Sequence, residues 1–339
     1  MRFIFTKTLM AVASLLITTT VFAQHPDITV MTYNIMQLPV QDWDQQQRLA
    51  HLSDALHAMP AMPDVIVFSE VFTDDAYETL QSMNQTYPYL TPVVGLSCQG
   101  GGWQSTAGNC SNSPFVIRGG VVIASRWPIV AQHQLVFRAS LSGSWDYQSN
   151  KGAAYVEIDS GAGRFHIAGT HLQATHDDKA DSEHDIRMQQ LTEIRQWLDE
   201  FQIPANEPVI LAGDMNVDFA HKTQVTQMLS TSQTVLSFDA SSGAASYPED
   251  NWMSRAYNYY FNTDICYNDT LDYVLERRDH LQAKNTPAMT VVPLKSPVAW
   301  HWSYLQGWWP LCGGWQWHDG YTTDLSDHYP VMTTFQYSR

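Results

Sequence analysis

Basic residues are scarce in this chain. Its 339 residues hold 18 Lys and Arg against 34 Asp and Glu, a formal charge of −16. A protein of that sign repels polyanions over long range, which weighs against nucleic acid as the main partner, because non-specific binding there rests on cations neutralising phosphates. Long apolar runs are also missing. Beyond residue 23 no stretch is long and apolar enough to cross a bilayer, so the mature chain is expected to be soluble. Cysteine is sparse, with only Cys98, Cys110, Cys266 and Cys312, and their spacing is unlike a zinc site. No internal repeat and no linker interrupts the chain, so residues 24–339 are expected to form a single domain.

The first 23 residues have a composition of their own. Arg2 and Lys7 precede a short apolar run, and Val21-Phe22-Ala23 is a small-residue cleavage motif. This pattern reads as a secretory leader and makes the protein a secreted one; an uncleaved anchor is the alternative. In an exported chain an even number of cysteines suggests two disulfides. Three pairings are open. Cys98–Cys110, closing a Gly/Ser/Asn-rich loop, with Cys266–Cys312 is the favoured one.

Residues 27–36 (DITVMTYNIM) alternate and are β-rich, and residues 64–71 form a second apolar run. Between them Leu49, Leu52, Leu56 and Met59 recur at helical spacing, which predicts a helix over 42–59 capped by Asp42 or Asp44 and ended by Pro60 and Pro63. A β–helix–β opening favours a mixed α/β sheet. A short helix is expected over 73–84, a loop over 96–114, and strands over 119–125, 152–159 and 164–169. The longest helix is expected over 181–201, and later strands over 270–275, 289–294 and 329–335.

One octet organises the rest: Val209-Ile210-Leu211-Ala212-Gly213-Asp214-Met215-Asn216. In extended chain, residues two apart share a face, so Asp214 and Asn216 would reach together into one pocket at the end of a buried strand. Alone, the octet reads equally well as an Asx turn. The same strand-then-polar arrangement recurs, however, at Asn34, Glu70, His171, Asp272 and Asp327-His328. Each of these is ordinary by itself. Together they supply Asn, Asp, Glu and His without a Cys or Lys nucleophile, a set that suits metal-assisted hydrolysis of a phosphoester.

In chain order, Tyr33-Asn34, Ser69-Glu70-Val71-Phe72, Gly169-Thr170-His171-Leu172-Gln173, Gly213-Asp214-Met215-Asn216, Leu271-Asp272-Tyr273-Val274 and Ser326-Asp327-His328-Tyr329-Pro330 resemble the endonuclease/exonuclease/phosphatase superfamily related to DNase I. Within it, Glu70-Val71-Phe72, Gly119-Gly120-Val121, Ser125-Arg126-Trp127-Pro128-Ile129 and Ser326 to Val331 look most like the secreted bacterial neutral sphingomyelinases. The resemblance implies a four-layer α/β/β/α sandwich of two packed mixed sheets. It implies Mg²⁺, or Co²⁺ or Mn²⁺ in its place, held by Glu70 with Asn34 and Asp327. It makes His328 the general base, oriented by Asp272, with His171 and Asn216 donating to phosphate oxygens and Asp214 ligating metal or protonating the leaving alkoxide.

Half of the twelve Trp lie just before that histidine. Trp300, Trp302, Tyr304, Trp308, Trp309, Trp315 and Trp317 crowd together, and no Asp, Glu, Lys or Arg occurs between Lys295 and Asp319. Gly307, Pro310, Gly313 and Gly314 break the run, so it reads as two short strands around a tip. An exposed Trp-rich tip suits a bilayer interface, where one end of the indole is apolar and the other wet. Trp308 and Trp309, with Trp302, are the residues expected to touch membrane; the alternative is that they pack in the core. The resulting expectation is a sphingomyelin phosphodiesterase acting as a monomer on sphingolipid in the outer leaflet of a target cell, with no nucleic acid. The competing readings are a secreted nuclease, another phosphodiesterase of the superfamily, and a non-catalytic membrane-binding toxin.

Overall fold

The computed structural model describes residues 25–40, 42–175, 180–236, 245–260, 268–306 and 316–338. In chain order the strands are β1 (Ile28–Asn34), β2 (Val65–Ser69), β3 (Tyr89–Leu90), β4 (Ser105–Gly108), β5 (Ile117–Arg118), β6 (Val122–Ser125), β7 (Ile129–Val136), β8 (Ser149–Asn150), β9 (Gly152–Asp159), β10 (Arg164–His171), β11 (Val209–Asp214), β12 (Thr234–Val235), β13 (Asp272–Arg277), β14 (Thr290–Val291), β15 (Lys295–Gln306), β16 (Gln316–Asp324) and β17 (Val331–Phe335). The helices are α1 (Gln45–His57), α2 (Asp74–Ser82), α3 (Ala180–Glu200), α4 (Lys222–Ser232) and α5 (Trp252–Tyr260).

Two mixed sheets carry the fold. The first has six strands in the order β14-β17-β1-β2-β6-β3, and the second seven in the order β12-β13-β11-β10-β9-β7-β4. Their facing side chains, among them Val30, Val67 and Ile123 from the first and Val156, Ile167 and Ile210 from the second, merge into one apolar core. β-branched residues dominate because they fit a pleated surface buried on both sides. The sheets approach closely where Gly169 of β10 faces β2 and β6. A Cβ on Gly169 would lie 2.7 Å from Val67 Cγ1 and 3.2 Å from Ile123 Cγ1. A second core cluster lies on the other face of the first sheet, beneath α1 and α2, and includes Met31, Tyr33, Leu52, Leu56, Phe68 and Leu80.

Several elements differ from expectation for identifiable reasons. Asp44 does not cap α1: it adopts φ 58° and makes no side-chain cap bond, and its carboxylate accepts the indole N–H of Trp300 instead. Side chains do cap α2, where Thr73 accepts from Ala76 N, and α5, where Asn251 Oδ1 accepts from Met253 N and Ser254 N. The loop expected over 96–114 contains β4, which pairs in parallel with β7. β7, α4 and α5 are unforeseen, and the strand expected over 289–294 shrinks to Thr290–Val291. The aromatic run forms two long antiparallel strands, β15 and β16, with Trp302 opposite Gly320.

The Cys98–Cys110 disulfide is formed, with Cα atoms 5.5 Å apart. Cys266, Cys312, Trp308, Trp309 and the leader 1–23 lie outside the described residues. No described helix is long and apolar enough to cross a membrane.

Candidate active site

Strand register assembles the site. β1 and β2 run parallel with Asn34 beside Ser69, so Asn34 and Glu70 emerge together from the first sheet. In the second sheet β10 and β11 pair in parallel with His171 beside Asp214, and β11 and β13 pair antiparallel with Asp214 beside Asp272. His171, Asp214 and Asp272 therefore form one row across three strands. β17 lies antiparallel to β1 with Val331 opposite Thr32, which sets the preceding residues Ser326, Asp327 and His328 next to Asn34. The residues expected to be catalytic or metal-binding, Asn34, Glu70, His171, Asp214, Asn216, Asp272, Asp327 and His328, lie together here, some from each sheet.

The backbone is specialised at this place. Glu70 and Asn216 adopt left-handed φ values of 58° and 49°, a conformation that non-glycine residues rarely take and that clusters at functional sites. Gly213 has φ 153°, and a Cβ there would lie 1.9 Å from the Thr170 carbonyl oxygen. Only glycine lets β11 pass that close to β10 while it delivers Asp214. From α1, which covers the first sheet, the buried guanidinium of Arg48 donates to the carbonyls of Trp43, Ile35, Met36 and Leu325. It ties the end of β1 to the segment that leads into His328.

The side chains form a connected network. His328 Nδ1 lies 2.7 Å from Asp272 Oδ2, and its Nε2 lies 3.9 Å from Asp214 Oδ2. His171 Nε2 is 3.7 Å from the same Asp214 oxygen. Asn34 Nδ2 donates both to Glu70 Oε1 at 3.0 Å and to Asp214 Oδ2 at 3.1 Å, linking the two sheets. Asn34 Oδ1 accepts from Met36 N, so the amide reaches the carboxylates through its nitrogen. Asp214 Oδ1 accepts from Asn216 N, and Asn216 Nδ2 donates to the Leu172 carbonyl. Ser326 Oγ donates to the Asn34 carbonyl and lies 3.1 Å from Asp327 Oδ1. The edge of the Tyr247 ring packs against the His328 imidazole, with centroids 5.1 Å apart.

Lys151 is a site residue that the sequence reading missed. It is buried, its ammonium ion-pairs with Asp146 Oδ1 at 2.9 Å, and it donates to the Leu172 carbonyl and to His171 Nε2 at 3.1 Å. Asp146 in turn accepts from Ala174 N. One signal was available: Lys151 is the only cation between Arg138 and Arg164, and it directly precedes an apolar strand.

Burial and like charge shape the titration of these groups. Burial, and then the neighbouring Asp327, push Glu70 up to about 7, against the pull of the Asn34 hydrogen bond. Burial also raises Asp272 and Asp327. Burial, Lys151 and His328 hold His171 well below its ordinary value. For His328 burial acts downward, but the carboxylates of Asp272, Asp327 and Asp214 outweigh it and raise the imidazole well above its ordinary value.

The donor set fits a hard divalent cation. Carboxylates and one imidazole converge, and donor atoms of Asp214, Asp272 and His328 lie within 4.8 Å of one another. Asp272 Oδ1 and His171 Nδ1 are buried without a hydrogen-bond partner. Oxygen-rich ligands of this kind suit Mg²⁺-like ions. Of the expected bilayer contacts, Trp302 is half-buried and packs against the small apolar cluster of Met36, Trp43, Met253 and Ala256.

Two packed mixed sheets with polar residues gathered where strand ends of both meet define a DNase I-like α/β sandwich. The Endonuclease/Exonuclease/phosphatase family profile matches residues 31–328, and the chain belongs to that family. Sphingomyelinase C of Leptospira interrogans is 33% identical over 90% of this chain and 51% of its own length; the chain thus spans about half of that relative. Sphingomyelinase C of Bacillus cereus is 32% identical over 92% of this chain and 89% of its own length. Among solved structures, sphingomyelinase C of Streptomyces griseocarneus superposes with a TM-score of 0.75 at 32% identity, covering 92% of this chain and all of the other. A variant of Staphylococcus aureus beta toxin with bound magnesium ions gives 0.73 at 26% identity, covering 91% of this chain and 99% of the other.

Proposed function

We propose that the protein is a secreted, metal-dependent phosphodiesterase that cleaves sphingomyelin into ceramide and phosphocholine. Residues 1–23 act as the leader, and residues 24–339 form one catalytic unit. The observation that carries the reading is the His328–Asp272 pair at 2.7 Å set against Asp214 and the Asn34–Glu70 bridge. An oriented imidazole beside a cation-binding carboxylate set is the equipment of hydrolysis by activated water. The names of the relatives supply the substrate class.

Each residue has a task that follows from its contacts. Asp272 accepts from His328 Nδ1, which leaves Nε2 to take a proton from water. Lys151 donates to His171 Nε2, so that ring carries its proton on Nδ1. This unpartnered N–H and an amide N–H of Asn216 donate to the non-bridging phosphate oxygens as charge grows on them. Glu70 and Asp214 hold the cation, and Asn34 fixes both carboxylates; Asp327 contributes charge beside Glu70. When bound, Mg²⁺ would polarise the phosphoryl group, acidify water and offset the carboxylate charge that raises the His328 imidazole.

The test is phosphocholine release from sphingomyelin liposomes with Mg²⁺ and with EDTA, run beside phosphatidylcholine and DNA. Release from sphingomyelin that EDTA abolishes supports the reading. Absence of release, or cleavage of DNA in preference to lipid, overturns it.

A further inference from the structure

Ten large apolar side chains are exposed among the described residues, and four of them gather in one place. Phe115 is 87% exposed, Trp145 62%, Tyr147 58% and Leu96 49%. They come from separate stretches that the fold pins together. β5 pairs in parallel with β8, with Ile117 beside Ser149. The turns just before these strands, carrying Phe115 and Tyr147, therefore lie side by side. Asn150 binds the other loop at two points: its amide donates to the carbonyls of Gly95 and Ser111 and accepts from Ser111 N. Leu96 follows Gly95 directly, and the Cys98–Cys110 disulfide closes the same loop.

The Trp145 turn is rigid. Gln148 N bonds to Trp145 O, Tyr147 N to Ser144 O, and Ser144 Oγ to Leu141 O. Gln173, just past the catalytic strand β10, donates to Ser144 Oγ and accepts from Leu141 N. Trp145 and Tyr147 also flank Asp146, the partner of Lys151 in the site. The exposed aromatics thus stand at the edge of the catalytic pocket.

Charge identifies what this face meets. Residues 96–117 contain no Asp, Glu, Lys or Arg, and residues 139–150 contain only Asp146, which is buried against Lys151. In a chain of net charge −16 this is an uncharged rim carrying a phenol, an indole and a phenyl ring. Apolar aromatic surface without cations suits a neutral lipid interface and offers an anionic one no attraction.

We propose that Leu96, Phe115, Trp145 and Tyr147 form a second membrane-contacting rim that seats the pocket on a zwitterionic phospholipid surface, apart from the Trp-rich β15–β16 hairpin. The proposal rests on the reading of the site as one that works at a lipid surface. It is tested by flotation of the full chain with phosphatidylcholine vesicles in EDTA, where turnover plays no part. Trp145→Ala with Tyr147→Ala, and Phe115→Ala separately, should each lower partitioning, the double variant about tenfold, equivalent to about 1.4 kcal/mol. Trp145→Phe with Tyr147→Phe should retain most of it, and raising the salt should leave wild-type binding unchanged. Turnover of a soluble choline phosphodiester by the double variant should stay within about twofold of wild type, which also shows that it folds. Equal flotation of the double variant and wild type overturns the rim. Wild-type flotation that falls in the variants, with no cleavage of any choline phosphodiester, keeps the rim and overturns the enzymatic reading.

Discussion

His328 is held by carboxylates on several sides, and that arrangement sets what its loss should do. His328→Ala should reduce phosphocholine release by about 10³-fold or more, because proton transfer by a positioned group contributes roughly 10²–10⁴-fold. Asp272→Asn keeps a partner near Nδ1 but removes the charge, so kcat should fall while KM changes little. A comparable fall in vesicle binding by either variant would count against these roles. A second acid gives a pH prediction. Burial, and then its hydrogen bond and charge contact with Asp218, push Asp269 up to about 9, against about 3.9 in an unfolded chain. The folded state therefore holds a proton that the unfolded state has released. Stability from this pair is full below about pH 4 and is lost as pH rises through about 9. Asp269→Asn should remove that slope, so the melting temperature of the variant relative to wild type should climb between pH 5 and pH 9. A constant difference would refute the shared proton.

Among the elements, the contact of β10 with β2 leaves no room for a side chain at Gly169. Gly169→Ala places a methyl 2.7 Å from Val67 Cγ1 and should destabilise by about 1–3 kcal/mol, as overpacking of a close-packed core does. Chemical denaturation would show it as a lower midpoint with unchanged slope. The same elements mark how far sequence reading reaches. β1 was legible as an alternating, β-rich stretch, and β2 and β11 because burial on both faces gives continuous apolar runs. β7 was not, because Gln132, His133 and Gln134 interrupt it. Gln134 is nonetheless buried, its amide satisfied by Gly95 N, Ser97 O and Thr106 Oγ1, and such tertiary bonds leave no periodic trace. Helix α5 (WMSRAYNYY) holds six weak helix formers, Trp, Ser, Asn and three Tyr, against Met, Arg and Ala. Site residues at strand ends were readable as polar stops after apolar runs. Lys151 sits instead at a strand start, and it joins them only because β9 runs antiparallel to β10, with Ala153 beside Thr170.

For the molecule as a whole, the site concentrates negative charge in a protein that is already strongly acidic. Glu70, Asp214, Asp272 and Asp327 repel one another, and a bound divalent cation relieves that repulsion in the folded state only. Mg²⁺ should therefore raise the melting temperature, by about 2.7 kcal/mol of stabilisation at a hundred times its dissociation constant. Glu70→Gln should blunt the shift. A melting temperature indifferent to Mg²⁺ in wild type would argue against a resident cation, whatever the activity assays show.

The two-sheet origin of the site has a temporal consequence. Asn34 and Glu70 come early in the chain, His171 and Asp214 from its middle, and His328 just before β17, which inserts between β14 and β1. No partly finished chain can hold this constellation, since its imidazole arrives with the final strand of the first sheet. Assembly of the proposed catalytic site and closure of the first sheet by β17 thus become a single event.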